Sequence, residues 1–281
     1  NNLDGKFAPM VYATQPAAQL KAIQAKYGAH ASSEAVELFF SKLAYLLKEF
    51  GIQNFIVAGG ETSGTVTQGL AVKGFHLREK MVSLALSMFQ RGYATGGAGN
   101  LSLKLPDGNF LATPTGASFG RLVADELSVV DINGTLISGK RASKEVAFHL
   151  EIYRNSPDCN AIVHLHSTYL TALSCLETLD PDNAIRPFTP YYVMRVGQLP
   201  VIPYLRPGEP RIAEELGKLA PHHRAFLLAN HGPVITGSDI EDAVDNAEEL
   251  EETAKLMFIL NNHPVRYLTH AEIADLKGRG K

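Results

Sequence analysis

The feature that most constrains how this chain can fold is a short apolar run, Ala161-Ile162-Val163, that ends in His164-Leu165-His166. A run this short and this rich in apolar and β-branched residues reads as a buried strand. Residues two apart on a strand share a face, so His164 and His166 point together while Leu165 faces the opposite layer. A second apolar run, Ala225-Phe226-Leu227-Leu228-Ala229, leads to His231 and the turn signal Gly232-Pro233. Two strand ends and a turn then deliver three imidazoles, a set that can hold a divalent metal and leave a coordination position open. The plainer reading of the pair is one buried, hydrogen-bonded histidine beside an exposed one. Taken alone, the pair does not choose between the two readings.

Upstream, Ala142-Ser143-Lys144-Glu145 precedes Val146, Phe148, Leu150 and Tyr153, which continue as a helix with Ser143 as its natural N-cap. Glu145 then falls in the first helical turn. There it either just suits the helix dipole or stands beside a metal as a carboxylate that can shuttle a proton. Ser143, Lys144 and the first amides of this helix form a ready anion site. Further upstream stand Gly96-Gly97-Ala98-Gly99-Asn100-Leu101-Ser102 and Thr113-Pro114-Thr115-Gly116. Glycine-rich turns let backbone amides approach a phosphate closely, although each turn alone reads equally well as an ordinary loop. The P-loop pattern is absent, so triphosphate cradling of that kind is not indicated.

The chain has 281 residues, enough for one large or two modest domains, with 45% hydrophobic and 20% charged residues, the balance of an ordinary globular protein. A net charge of −3 gives no electrostatic reason to expect nucleic acid or an acidic membrane surface. No apolar run approaches a membrane span, and the polar opening Asn1-Asn2-Leu3-Asp4 lacks a signal-peptide pattern. Cys159 and Cys175 have neither the number nor the spacing of a disulfide framework, so a cytoplasmic enzyme with reduced thiols is expected. Asp107-Gly108 and Asn133-Gly134 signal hairpins, and helices are expected over 78–91 and 239–262. The run Glu248-Glu249-Leu250-Glu251-Glu252 within the latter reads as a solvated face. Short strands, hairpins and interspersed helices argue for an α/β domain with a largely antiparallel sheet.

Taken in order, Gly-Asn-Leu-Ser at 99–102, Thr-Pro-Thr-Gly at 113–116, Ser-Lys-Glu at 143–145, His-Leu-His at 164–166 and Asn-His-Gly at 230–232 resemble the class II aldolase/adducin family over about residues 78–270. The resemblance implies a three-layer α/β/α domain with a mainly antiparallel central sheet. It implies one divalent metal ion per subunit, of zinc type, held by His164, His166 and His231, with Glu145 as catalytic acid/base. Gly99, Asn100, Thr115, Gly116, Ser143 and Lys144 match the phosphate-binding positions. The family's aldolases carry Ser-Ser where this chain has Ser143-Lys144, and the lysine adds a positive charge suited to an anionic phosphorylated substrate. Their protonating tyrosine falls at Tyr191, with Tyr192 as the alternative. The family usually assembles as a homotetramer with active sites at subunit contacts.

Residues 1–76 do not belong to that unit. A strand at 9–13, helices at 17–27 and from Ser32 or Ser33 to Phe50, and a strand at 54–58 entering Gly59-Gly60-Glu61-Thr62-Ser63-Gly64 form a small α/β segment. Ala58-Gly59-Gly60-Glu61-Thr62-Ser63-Gly64 resembles the nucleotide-binding end of four-carbon acid sugar kinases. Gly59, Gly60, Thr62, Ser63 and Gly64 are expected to be a vestigial site on a segment that packs as a structural extension. The missing initial methionine fits a fragment, and the switch near residue 76 fits a fusion, a read-through or a misjoined frame. Domains are therefore expected at 1–76 and 77–281.

Such kinases make a four-carbon β-keto acid phosphate, and residues 78–281 are most similar to the family members that decarboxylate 3-oxo-tetronate 4-phosphate. That reaction, yielding dihydroxyacetone phosphate, is the expected activity, with Arg195 and Arg206 as candidates to hold the substrate carboxylate or else plain surface ion pairs. The alternatives are a sugar-phosphate aldolase or epimerase of the fuculose or ribulose phosphate type, and a non-catalytic adducin-like module. Three histidines with Glu145 argue against the last, because a binding module has no use for an open metal site.

Overall fold

The computed structural model describes residues 17–49 and 72–278. By backbone contacts the chain divides into two compact units, residues 1–75 and 76–281. The expected strands at 9–13 and 54–58 and the glycine turn at 59–64 lie outside the described residues. Within the first unit, α1 (Ala17–Tyr27) and α2 (Ala29–Glu49) follow one another across Gly28 at φ +85°. The second helix starts ahead of the expected Ser32 because the left-handed glycine ends α1 within one residue. The Ser32 hydroxyl donates back to the Gly28 carbonyl at 2.7 Å, so it serves the helix interior and not a cap.

The next described helix, α3 (Val72–Gln90), begins six residues before its expected start at 78. An eight-stranded sheet follows: β1 (Asn100–Lys104), β2 (Phe110–Ala112), β3 (Ser128–Val130), β4 (Leu136–Ser138), β5 (Ala161–His164), β6 (Val201–Ile202), β7 (Ala225–Leu228) and β8 (Gly232–Gly237). Its spatial order is β4-β3-β2-β1-β5-β8-β7-β6. Every pairing is antiparallel except β6 with β7. Both expected hairpins form. In the first, the Asp107 carboxylate accepts from the Asn109 amide at 3.0 Å, and in the second Asp131 accepts from Asn133 and Thr135 at 2.9 and 2.8 Å.

Helices cover both faces, which makes the unit three-layered. One core combines Met81, Ala85 and Met88 of α3 with the sheet residues Leu101, Val163, Leu165 and Leu227. It also takes in α5 (Thr168–Ser174), α6 (Pro190–Arg195) and α8 (Ile240–Leu260). The other core packs Phe110, Ile162, Phe226 and Val234 against α4 (Val146–Asn155) and α7 (Pro210–Leu219). The strand alternation thus places Leu165 and His164 on opposite faces, as their spacing predicts. A last helix, α9 (His270–Gly278), packs partly buried Ile273 and Leu276 on the first core. Among the described residues no helix is long and apolar enough to cross a membrane.

The charged run in α8 departs from expectation. Glu251 is buried, and the helical stripe Ala243, Ala247, Leu250, Glu251 and Ala254 explains why. A residue four after Ala247 and three before Ala254 lies on the core-facing side whatever its charge.

Candidate metal centre

The site forms where β5, at the centre of the sheet, ends between β1 and β8. His164 pairs in register with Asn100 on one side and Val234 on the other. The His164 side chain is fully buried, its Nδ1 lies 2.8 Å from the Pro233 carbonyl, and its ring meets Phe148 edge-on. A carbonyl only accepts, so Nδ1 carries the proton and the Nε2 lone pair faces the site. His166 lies just past the strand end, with its Nε2 3.2 Å from that of His164. His231 sits in the β7–β8 turn, after Asn230 at φ +55°.

The ring centroids of the three histidines stand 4.7–5.0 Å apart, and one nitrogen from each lies within 4.8 Å of the others. This spacing fits a single divalent cation. Burial holds all three imidazoles below the ordinary histidine range, and the proximity of His231 lowers His164 and His166 further. Neutral rings with convergent lone pairs are the state a metal ligand needs. The backing of His164 by a main-chain carbonyl is the outer support usual at such centres.

Glu145 faces this trio. Its carboxylate oxygens stand 3.5 Å from His164 Nε2 and 3.5 Å from His231 Nε2. Because the rings are neutral, these are dipolar contacts and not ion pairs. Burial pushes the Glu145 carboxyl above its usual range, opposed by the Asn100 side-chain amide, which donates to it at 2.6 Å. Glu145 takes the N-cap position of α4, whereas the sequence pattern predicts Ser143 there and Glu145 in the first turn. Ser143 lies two residues before that cap, and its Oγ accepts from the Glu145 amide at 3.3 Å.

The phosphate-type motifs converge nearby. The Thr115 amide donates to the Arg141 carbonyl at 2.9 Å, and the Ser143 amide donates to Thr113 at 3.2 Å, which lays the 113–116 loop beside 141–144. A Cβ on Gly97 would stand 3.7 Å from the Gly116 carbonyl, so the glycine-rich turn joins the same cluster. Thr115, Gly116 and Lys144 are exposed. The amides of Glu145 and Val146 are already satisfied by Ser143, so fewer helix amides remain for an anion than the motif alone suggests. Gly99, at φ +84°, has a further reason to be glycine: a Cβ there would come within 2.8 Å of the His164 carbonyl.

Of the tyrosine pair, Tyr192 is fully buried with its hydroxyl donating to Asn183 at 2.8 Å, whereas Tyr191 is exposed. Among the described residues no hydrogen bond joins Tyr191 to the histidines. Arg195 bonds Asn246 and pairs with Asp245 and Asp242 of α8, which makes it the surface ion pair of its two readings. Arg206 is exposed.

Two polar groups escaped the sequence reading. Ser102 of β1 lies 2.7 Å from His149 Nδ1 and 2.8 Å from the Tyr153 hydroxyl, in a buried network along the helix that Glu145 caps. The four-residue spacing of Glu145, His149 and Tyr153 along one helix face was the available signal. Glu251 accepts from the Ser167 hydroxyl, directly after His166, at 2.7 Å.

Residues 79–258 match the family model described as Class II Aldolase and Adducin N-terminal domain, and residues 1–110 match that of the Nucleotide-binding C-terminal domain. The chain is 62% identical over 204 residues to a 3-oxo-tetronate 4-phosphate decarboxylase of Haemophilus influenzae, spanning 73% of this chain and 97% of that protein. It is 36% identical over 184 residues to an L-fuculose phosphate aldolase of Methanococcus maripaludis, spanning 65% and 97%. The crystal structure of YgbL from Klebsiella pneumoniae, described as a candidate aldolase/epimerase/decarboxylase, superposes with a TM-score of 0.72 at 63% identity, covering 72% of this chain and 98% of that one. The chain belongs to the class II aldolase/adducin family.

Proposed function

We propose that this chain is a metal-dependent carboxy-lyase that converts 3-oxo-tetronate 4-phosphate to dihydroxyacetone phosphate and carbon dioxide. The observation that carries this reading is the gap in similarity, 62% identity to the Haemophilus decarboxylase against 36% to the archaeal aldolase. The same site chemistry serves either bond cleavage, so the ranking rests on that gap.

One divalent ion per subunit, zinc in this reading, held by His164, His166 and His231, would supply Lewis-acid polarisation of the substrate ketone. The substrate is a β-keto acid, so the electron pair of the C1–C2 bond can flow toward the C3 carbonyl as carbon dioxide leaves. No hydroxyl proton has to be removed to begin. C2 must then be protonated, and Glu145 is the acid. Burial pushes its pKa upward, the direction a proton donor needs, and the Asn100 amide aims it. Tyr191 from a neighbouring copy in a homotetramer is the second candidate for that proton.

The substrate phosphate sits among Thr115, Gly116, Ser143 and Lys144, with Gly99 and Asn100 at the inner edge. Asn100 has one amide hydrogen left after Glu145. Lys144 provides the cation that a dianionic phosphate favours. In this reading the enzyme is cytoplasmic, the catalytic domain is 77–281, and residues 1–76 are a kinase-like remnant without activity.

The test is to supply 3-oxo-tetronate 4-phosphate to the metal-loaded chain and follow both products, dihydroxyacetone phosphate by a coupled reductase and carbon dioxide by trapping. Equal yields of the two are expected, with Glu145→Gln slower by roughly 100-fold or more, the usual scale for a lost general acid. Failure of the native chain to release carbon dioxide overturns the proposal.

A further inference from the structure

Glu251 is a carboxylate buried in the layer of α8, at 5% exposure, and three donors converge on it. The Ser167 hydroxyl donates at 2.7 Å, the Tyr169 amide at 2.8 Å and the Leu170 amide at 2.9 Å. These two amides open α5, whose own N-cap residue Ser167 makes no side-chain cap. Glu251 therefore caps α5 from another helix, satisfying amides that would otherwise be orphaned and setting its charge against the positive end of the helix dipole.

What lies at the two ends of α5 gives this cap its meaning. His166 stands immediately before Ser167 and past the end of β5, beyond the hydrogen bonds of the sheet. The other half of α5 holds the His231 turn. The Ser174 carbonyl accepts from the Asn230 amide at 2.9 Å, Ser174 Oγ accepts from the His231 amide at 3.2 Å, and Thr171 Oγ1 donates to the His231 carbonyl at 3.4 Å. That turn includes Asn230, which, among the described residues, is the non-glycine residue with positive φ. One short helix thus spans the backbones of two of the three histidines, and Glu251 fixes it to α8.

We propose that Glu251 is a positioning residue of the metal centre: by pinning α5 it sets the spacing of His166 and His231 that a single cation requires. The inference rests on the reading that the three histidines bind a metal. Gln at 251 keeps the volume but presents a donor to at least one of three donors, and so loosens the pin.

Cobalt(II) is the probe, because its visible bands report coordination geometry and its affinity follows from competition with a chelator. The native chain is compared with Glu251→Gln, Ser167→Ala, Thr171→Val and a control, Glu272→Gln. Glu272 is also a helix-capping carboxylate, although it lies on α9 itself and accepts from the Thr269 amide just before that helix at 2.8 Å, and it touches neither α5 nor the histidines. The expected result is that Glu251→Gln binds cobalt about 10-fold or more weakly with altered visible bands. Ser167→Ala and Thr171→Val should show smaller losses in the same direction, while Glu272→Gln binds as the native chain does. A lowered melting temperature in Glu251→Gln with native affinity and spectrum would mean a purely structural cap and overturn the proposal. Should Glu251→Gln fail to fold, native cobalt binding by both Ser167→Ala and Thr171→Val overturns it equally. No cobalt uptake by the native chain removes the metal reading and this one with it, a failure distinct from the others.

Discussion

His149 makes the stability of this protein depend on acid in a way that one substitution can isolate. Its ring is fully buried on α4, one turn beyond Glu145, with Nδ1 against Ser102 and no hydrogen-bond partner for Nε2 among the described residues. Burial pushes its pKa down to about 3. In the unfolded chain the same ring titrates near 6.5, so between those values the unfolded state binds one proton that the folded state refuses. Stability contributed by this residue is intact above pH 6.5 and falls as the pH drops toward 3. The slope for one proton is about 1.4 kcal/mol per pH unit, so lowering the pH from 7 to 5 removes about 2 kcal/mol. Glutamine at 149 can still accept from Ser102 but cannot titrate. Urea denaturation of chelator-treated protein across this range should show His149→Gln less stable at pH 7 from lost packing, and the gap to the native chain narrowing by about 2 kcal/mol at pH 5. Titrating carboxylates cancel in that difference. A gap that stays constant with pH would refute the reasoning, and one that widens would mean that His149 is charged in the fold.

Three further outcomes follow from specific contacts. A Cβ at Gly232 would stand 2.3 Å from the Leu165 carbonyl, between the His231 turn and the His166 corner. Gly232→Ala should therefore lose about 1–3 kcal/mol in urea denaturation and weaken cobalt binding, and native values in both contradict the packing described. Lys144→Ala and Thr115→Val should each raise KM by roughly 10-fold, the scale of one lost bond to a charged group, with little change in kcat. Unchanged KM in both places the phosphate elsewhere. Of the two thiols, exposed Cys175 should react promptly with an aromatic disulfide reagent, while buried Cys159, its thiol pushed up to about 12, should react only on unfolding. Prompt labelling of both contradicts the burial of Cys159.

The parts of the fold that were legible in the sequence are those in which local chemistry and burial agree. Asp107-Gly108 and Asn133-Gly134 give hairpins because the carboxylates of Asp107 and Asp131 and the left-handed glycines build the turns locally. Alternation along 161–166 separates His164 from Leu165 because the sheet is covered on both faces. The spacing of Ser143 before an apolar helix predicts a cap two residues too early, since the Ser143 oxygen serves the Glu145 amide and Glu145 itself takes the cap position. Glu251 was hidden by its neighbours. A run of glutamates reads as solvent-facing unless each position is set against the helical stripe that Ala247, Leu250 and Ala254 mark. Its partners, Ser167 and the amides of Tyr169 and Leu170, lie more than eighty residues away, and no local pattern encodes such a pairing. The Ser102–His149–Tyr153 network is likewise a contact between a strand and a helix, visible as two periodicities but paired only by the fold.

Two bond cleavages compete as the reaction of the proposed metal centre, loss of carbon dioxide and release of an aldehyde. The ratio of kcat/KM for 3-oxo-tetronate 4-phosphate to that for L-fuculose 1-phosphate, taken on one metal-loaded preparation of the full chain, separates the two. A decarboxylase should give a ratio of about 1,000 or more in favour of the keto acid, equivalent to roughly 4 kcal/mol of differential transition-state binding. Efficient cleavage of the sugar phosphate with no turnover of the keto acid would contradict the decarboxylase reading and make this chain an aldolase.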